Sequence, residues 1–341
     1  MPKISTKLIN DKFLEKVASG DMEKAAEVAT DYTRITLMEE GLLRKIMPPE
    51  TITYADLDKQ LDTNEPTVIV DKEVTQPMSV SVGFGTLPKN RIMRGDRYRV
   101  DLARIISPNF VEDVARLEGY SYDIRNMFKE KAILNHMTAE DVTWFNQIDN
   151  IVKPTAENGV DWAANKALMV SGVTGKVQYY DFTDSKKNPL KTASGFSRDS
   201  LVEALKILRT GFTPSTAPLG QNEMPIRLNT DLVVMNVNTA AEYIKFVHTD
   251  IGDMSTELFK DGLDKEVNIL GHRHLLTMKD DIVKDGEAYY FAAPEYLGKF
   301  YELQQPTMFV DRRAFMIEFF IYSCLGATIG NAFGVAKAKF F

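Results

Sequence analysis

Two of the four histidines in this 341-residue sequence stand at alternate positions in Gly271-His272-Arg273-His274. Alternate side chains of a strand project to one face, so the pair is the first place to look for a zinc ion. Two ligands do not complete a tetrahedral site, and no other histidine or cysteine lies nearby in sequence. The expected reading is a surface strand near a contact with another chain, with no metal. Gly172-Val173-Thr174-Gly175-Lys176-Val177 has the outline of a phosphate loop, but its glycines are too closely spaced and valine stands where a magnesium-binding hydroxyl belongs; it reads as a turn. Gly83-Phe84-Gly85 lacks the third glycine and the strand-to-helix setting of a dinucleotide site. No Gly-x-Ser-x-Gly nucleophile motif occurs. Acidic neighbours such as Glu39-Glu40 and Asp280-Asp281 mark solvated faces rather than acid/base pairs. No catalytic residue, cofactor or metal is expected.

The one cysteine, Cys324, has no partner for an intrachain disulfide and reads as a small buried apolar residue of a protein made in a reducing cytoplasm. Lys89, Arg91, Arg94, Arg97, Arg99 and Arg104 form a basic run around Tyr98, offset by Asp96 and Asp101. Tyrosine-interleaved arginine can bind nucleic acid. The whole chain, however, carries 48 acidic against 41 basic residues, a net charge of -7, which disfavours gripping phosphate backbones as its main task. The run is expected to meet an acidic neighbour instead.

With 44% hydrophobic residues the chain can bury a sizeable core. The start, Met1-Pro2-Lys3-Ile4-Ser5-Thr6-Lys7, is polar and has no secretory apolar region. Residues 314 to 336 are long enough to span a membrane but contain Glu318, Asn331 and three glycines, so a buried strand over Met316 to Tyr322 is expected there, and no membrane contact.

The elements that must position these groups follow from apolar spacing. Residues 21 to 46 place Ala25, Val28, Ala29, Tyr32, Ile35 and Leu42 on one helical face, capped by Asp21 and stopped by Pro48-Pro49. A polar extended connection follows to residue 66. Met78, Val80, Val82 and Phe84 alternate with small residues, and Ile92, Tyr98, Val100 and Leu102 share parity on a second run; together they predict a long two-stranded ribbon that needs a partner surface. Residues 109 to 152 predict a long helix, with Gly119 and Thr138-Ala139-Glu140-Asp141 as places where it can break. Beyond Pro154 the spacing predicts a strand over 176 to 182, a helix from Ser197 to Leu208, an apolar strand over 231 to 236, a helix over 239 to 247, and strands over 274 to 278, 288 to 292, 315 to 322 and 332 to 340.

This order, arm, ribbon, long helix, α/β part and returning strands, resembles the Hong Kong 97-type fold of tailed-phage major capsid proteins. Local sequence is similar too. The family has a helix, an apolar strand ending near asparagine and another helix, as in Leu201 to Leu208, Leu232-Val233-Val234-Met235-Asn236 and Ala240-Ala241-Glu242-Tyr243-Ile244. It continues with a short strand after a glycine, similar to Gly271 to Thr277, and an Ala-Tyr-Tyr-Phe-like strand, as at Ala288 to Phe291. It closes on two apolar strands joined through a Gly/Asn turn, similar to residues 314 to 322 and 330 to 340. The resemblance covers essentially the whole chain through element order rather than any single motif.

What the resemblance implies is an α+β chain with an N-terminal arm (1 to 64), an extended β-ribbon loop (65 to 105), a peripheral domain with a long spine helix (106 to 196 and 301 to 341) and an axial domain (197 to 300). It implies a non-enzymatic virion subunit, synthesised in the host cytoplasm. Copies would self-assemble through hexamers and pentamers into an icosahedral head around double-stranded DNA, touched weakly and without specificity. Portal and scaffolding or decoration proteins would be further partners. Contacts between subunits would fall on the extended loop at Met78, Val80, Val82 and Phe84 and at Arg91, Arg94, Arg97, Tyr98 and Arg99. No long charged N-terminal extension of the kind some relatives remove is present, which implies a separate scaffolding protein or none. The lysine–asparagine crosslink of some relatives has no residue-by-residue match. An encapsulin-type compartment shell is the nearest rival reading, and a metal-dependent enzyme centred on His272 and His274 is the rival of another class.

Overall fold

The computed structural model describes residues 15–16, 22–58, 64–72, 84, 96–113, 116, 124–152, 179–183, 195–206, 208, 228–245, 266–269, 271–331 and 334–341. Helices α1 (Met22–Glu40) and α2 (Leu42–Ile46) lead into strands β1 (Glu50–Thr51), β2 (Thr67–Lys72), β3 (Asp96–Asp101), β4 (Ala103–Ile106) and β5 (Phe110–Asp113), then the long helix α3 (Ile124–Ile151). After β6 (Tyr179–Asp181) come α4 (Arg198–Leu205), β7 (Leu232–Asn236) and α5 (Val237–Ala241). Strands β8 (Glu266–Ile269), β9 (His272–Thr277), β10 (Glu287–Phe291), β11 (Gly298–Arg313), β12 (Met316–Ile329) and β13 (Val335–Lys339) complete the order. No helix among the described residues is long and apolar enough to cross a membrane.

The chain divides into two compact units, one of Met1–Ile69, Arg99–Trp144 and Lys299–Thr328, the other of Val70–Tyr98, Phe145–Gly298 and Ile329–Phe341. In the first, a sheet runs β1-β11-β12-β4, with β5 also paired to β12. The inward positions of β12, Ile317, Phe319 and Ile321, join Met308 and Val310 of β11. Ala25, Ala29 and Leu37 of α1 and Ala132, Ile133 and Met137 of α3 cover them. Apolar residues three or four apart put one stripe of each helix on the sheet. The helix expected in the arm is thus held by the core of its own chain.

Two expectations are corrected here. The long helix does not begin at Asn109: Phe110–Asp113 is a strand, because Phe110 and Val111 find partners in Phe319 and Glu318 of β12. Nor does Thr138-Ala139-Glu140-Asp141 break α3. Thr138 returns its hydroxyl to the Leu134 carbonyl at 2.8 Å, and the Asp141 carboxylate caps another helix, accepting from the backbone N–H groups of Leu42 at 3.4 Å and Leu43 at 2.9 Å. Helix α2 needs that service because its own N-cap is Gly41, which has no side chain to offer.

Of the expected ribbon, residues 78 to 83 and Ile92 lie outside the described residues; the described partner of β3 is β2. The run Thr67-Val68-Ile69-Val70 is a strand by its β-branched content alone. Within the second run the expected parity holds: Val100 and Leu102 are buried and Tyr98 half-buried, while Arg97, Arg99 and Asp101 face outward.

In the second unit a mixed sheet runs β6-β13-β10-β7-β9-β8. Central β10 is buried on both faces, as its unbroken apolar run requires. Ala288, Tyr290 and Ala292 share a core with Leu201 and Ala204 of α4, Ala240 of α5 and Tyr243. On the other face Tyr289 meets Phe145 edge-on, with centroids 5.2 Å apart. Ser197 caps α4 by accepting from the Ser200 N–H at 3.3 Å. Asn236 ends β7 as the N-cap of α5, accepting from the Asn238 N–H at 2.9 Å, while its amide donates to Asp280 and, at 3.1 Å, to the Val283 carbonyl. The helix expected over 239 to 247 starts earlier: α5 begins at Val237 and tightens into a 3-10 turn over Glu242–Lys245, while residues 246 and 247 lie outside the described residues.

Candidate assembly surface

Strand β12 alternates. While Ile317, Phe319 and Ile321 point into the first unit's core, Glu318, Phe320 and Tyr322 point to the opposite face of the sheet. Directly paired residues of antiparallel strands share a face, so the pairings Glu318↔Val111 and Tyr322↔Ile106 add Val111 and Ile106 to that surface. The Phe309 ring lies 4.8 Å from that of Phe320, which lies 6.0 Å from that of Tyr322. Ile106, Val111 and Phe309 are 57%, 43% and 39% exposed. At the end of the same hairpin Phe315 is exposed, beside Ala314, whose φ of 54° lies in the left-handed region. The result is an aromatic and aliphatic sheet face on which Ile106, Val111 and Phe309 are exposed and Phe320 and Tyr322 half-buried among the described residues. An apolar patch of this kind usually marks a surface for another macromolecule.

The expected contact residues divide into two groups. Met78, Val80, Val82, Arg91 and Arg94 lie outside the described residues, and Phe84 is exposed. Arg97 pairs with Asp71 across the β2–β3 sheet at 2.7 Å, both side chains well exposed. Arg99 pairs with Asp101 at 2.7 Å along its own strand. The basic run thus has carboxylates of its own chain beside it, and these two arginines are partly neutralised before any neighbour arrives. Tyr98 points the other way, its ring against Gly330.

The histidine pair is not the surface strand expected. Strand β9 lies between β7 and β8, and His274 is buried. Because a carbonyl can only accept, the Nδ1–H of His272 donates to the Thr230 carbonyl at 3.0 Å, and that of His274 to the His272 carbonyl at 2.9 Å. Burial pushes the His274 imidazole down to about 4, so it stays neutral with its Nε2 turned to the Tyr243 hydroxyl at 3.5 Å. Among the described residues no group of three or more His, Cys, Asp or Glu side chains gathers as a metal would need. Cys324 is buried in β12, and burial raises its thiol. The 172 to 177 turn lies outside the described residues.

A buried charge cluster in the first unit was not anticipated. The Arg44 guanidinium grips Glu140 with two parallel bonds, Nε to Oε2 at 2.8 Å and Nη2 to Oε1 at 2.9 Å, and reaches Glu302 Oε1 at 2.7 Å. His136 Nε2 stands 2.9 Å from the Ser323 hydroxyl and 3.3 Å from Glu140. Burial alone would raise Glu140, but the bonds from His136 and Arg44 outweigh it and hold the carboxyl below its ordinary range. The available signal was the i, i+4 spacing of His136 and Glu140 in the sequence of α3.

No protein-family model matches the chain, and no curated protein matches it. Solved structures do. The capsid of a native GTA particle is similar over 87% of this chain and 89% of its own, with a TM-score of 0.52 at 13% identity. The capsid of an empty GTA particle gives 0.50 at 14% identity over the same shares, 87% and 89%. A chain of Mycobacterium phage Ogopogo gives 0.50 at 8% identity, over 87% of this chain and 91% of its own. The chain therefore has a capsid-protein fold. Among the solved chains that share it are those of GTA particles and a mycobacterial phage.

Proposed function

We propose that this chain is the major capsid protein of a tailed phage, a structural subunit of the Hong Kong 97 type with no catalytic role. Copies assemble through hexamers and pentamers into an icosahedral head around double-stranded DNA. The reading rests on one observation above all: a chain with a capsid-protein fold presents, among its described residues, an apolar sheet face on which Ile106, Val111 and Phe309 are exposed beside Phe320 and Tyr322. Shells built from many copies bury such faces between subunits, each contact modest and the sum large.

In this reading residues 1 to 64 form the arm, 65 to 105 the extended loop, 106 to 196 with 301 to 341 the peripheral domain and 197 to 300 the axial domain. The loop residues Met78, Val80, Val82, Phe84, Arg91, Arg94, Arg97, Tyr98 and Arg99 engage neighbouring copies. Portal and scaffolding or decoration proteins complete the head, and packaged DNA makes only weak, non-specific contact.

Negative-stain microscopy of the purified protein, beside a size-exclusion profile and elemental analysis, tests the proposal. Shells, sheets, tubes or ring-shaped hexamers are expected. A small stable oligomer with stoichiometric metal would overturn it, and closed shells that retain a cargo peptide would reassign it to a cellular compartment. Replacing residues 74 to 94 by a short linker is expected to abolish assembly and leave the protein folded. The cut must stop before β3, because Val100 is fully buried.

A further inference from the structure

The sheet order β1-β11-β12 gives β11 two edges, one paired with β12 and the other met at its start by the short strand β1, where the Ile52 N–H donates to the Glu302 carbonyl at 2.9 Å. Backbone polar groups of alternate residues point to the same edge, so those of Pro306 and Met308 lie on the β1 side as well. There the partner is a helix. Thr30 of α1 accepts from the Met308 N–H at 3.0 Å and turns its hydroxyl toward the Met308 carbonyl at 3.4 Å, and Arg34, one turn on, donates its Nε–H to the Pro306 carbonyl at 3.2 Å. Pro306 has no N–H of its own to leave open. Thr33 of the same helix returns its hydroxyl to the Ala29 carbonyl at 2.7 Å, as threonine does inside helices; Thr30 instead reproduces the donor and acceptor of a neighbouring strand. Behind it Ala25, Ala29 and Leu37 hold α1 in the core.

We propose that α1 is an edge guard: by occupying the backbone of Pro306 and Met308 it keeps β11 from pairing with the β11 of a second copy. An open strand edge is a template for another strand, and a covering helix and a proline on the edge, both present here, are two means of blocking it. The occupant held off is a copy of this chain. Thr307-Met308-Phe309-Val310 is β-prone and free of proline, and the same edge on two copies is self-complementary about a two-fold axis. The choice of a copy over any other strand rests on the proposed shell function, which brings copies together at high local concentration; the guard contacts themselves do not depend on it. Phe309, next to Met308, belongs to the exposed sheet face. The guard therefore separates association through that face from pairing along the edge, two modes that β11 would otherwise offer together.

In the full chain, Asp311→Cys places a thiol on β11 while the native Cys324 is buried, so a disulfide between copies reads edge pairing. When Thr30→Val and Arg34→Met are added, hydrogen exchange across Thr307–Asp311 is expected to quicken roughly tenfold for the lost bonds, and the disulfide-linked dimer to rise several-fold at equal concentration. Thr30→Ser, which keeps the hydroxyl, should match the wild type. Arg312→Pro, added to the opened protein, should return the dimer to its starting level and leave the faster exchange, because proline on this edge blocks the ladder and not the helix. A dimer fraction that does not rise, or a dimer that Arg312→Pro leaves intact, overturns the proposal. Shells are read separately by microscopy, so failure of the guard and failure of the shell reading are told apart. Should the opened protein fail to fold, exchange in the wild type decides: the Met308 amide is expected to open no faster than the amides of α1, and faster opening refutes the guard.

Discussion

The Tyr98 ring lies against Gly330, so close that a Cβ on that glycine would fall 2.5 Å from Cζ of the tyrosine. Gly326 stands in the same relation to the next segment: a Cβ there would be 2.3 Å from the Asp101 carbonyl oxygen. These two glycines of one stretch of chain are the places where the run from Tyr98 to Leu102 comes down onto its neighbours, and they explain glycines that look, in sequence, only like interruptions of an apolar strand.

Gly330→Ala is therefore expected to cost about 1–3 kcal/mol by overpacking, read as a lower midpoint in urea at unchanged slope. Combining it with Tyr98→Ala should recover part of the loss, because the ring that clashes is gone. Simple additivity of the two changes would show that the ring and the glycine do not meet.

His274 makes stability depend on pH in a definite direction. Its imidazole is pushed down to about 4 from an ordinary 6.5, so the unfolded chain takes up a proton that the folded chain refuses. The contribution is complete above the unfolded value and is lost as pH falls from 6.5 towards 4, by up to roughly 3 kcal/mol. Urea titrations at about pH 7.5 and about pH 5 should show the fall, and His274→Gln should flatten it. An unchanged slope in the variant would assign the acid sensitivity elsewhere.

Asn236 has two duties, and two substitutions separate them. Asn236→Ala loses the cap of α5 and the donor to the Val283 carbonyl, a cost of about 2 kcal/mol. Asn236→Asp keeps an acceptor for the Asn238 N–H but has no amide to give Val283 and sets a carboxylate beside Asp280. It should be no more stable than the alanine variant near neutral pH. Recovery of wild-type stability by aspartate would mean that capping alone matters.

Much of the fold was legible in the sequence because period and punctuation are local. The stripe of Ala25 and Ala29, the cap at Ser197, the apolar run ending at Asn236 and the Ala288 to Phe291 strand all stand where spacing predicts, within a few residues at each end. The longest strand was not legible. In β11 the inward positions run Phe300, Glu302, Gln304, Pro306, Met308 and Val310, and a glutamate, a glutamine and a proline hide the alternation. Glu302 faces inward only because Arg44, 258 positions earlier in the chain, is there to meet it.

The candidate surface shows the same division. Composition and residue types were enough to argue against metal, nucleotide and nucleophile chemistry, and the order of elements was enough to suggest a capsid architecture. They did not separate the two faces of Phe315 to Tyr322, since apolar residues occupy both. Only the pairing of β12 with β4 and β5, and the helices laid on one side of it, decided that Ile317, Phe319 and Ile321 are core and that Phe320 and Tyr322 face outward with Ile106 and Val111. Local sequence sets what each segment can become, because backbone propensity and side-chain period act over a few residues; which apolar face is left uncovered depends on partners far away along the chain, and that is settled when the segments pack.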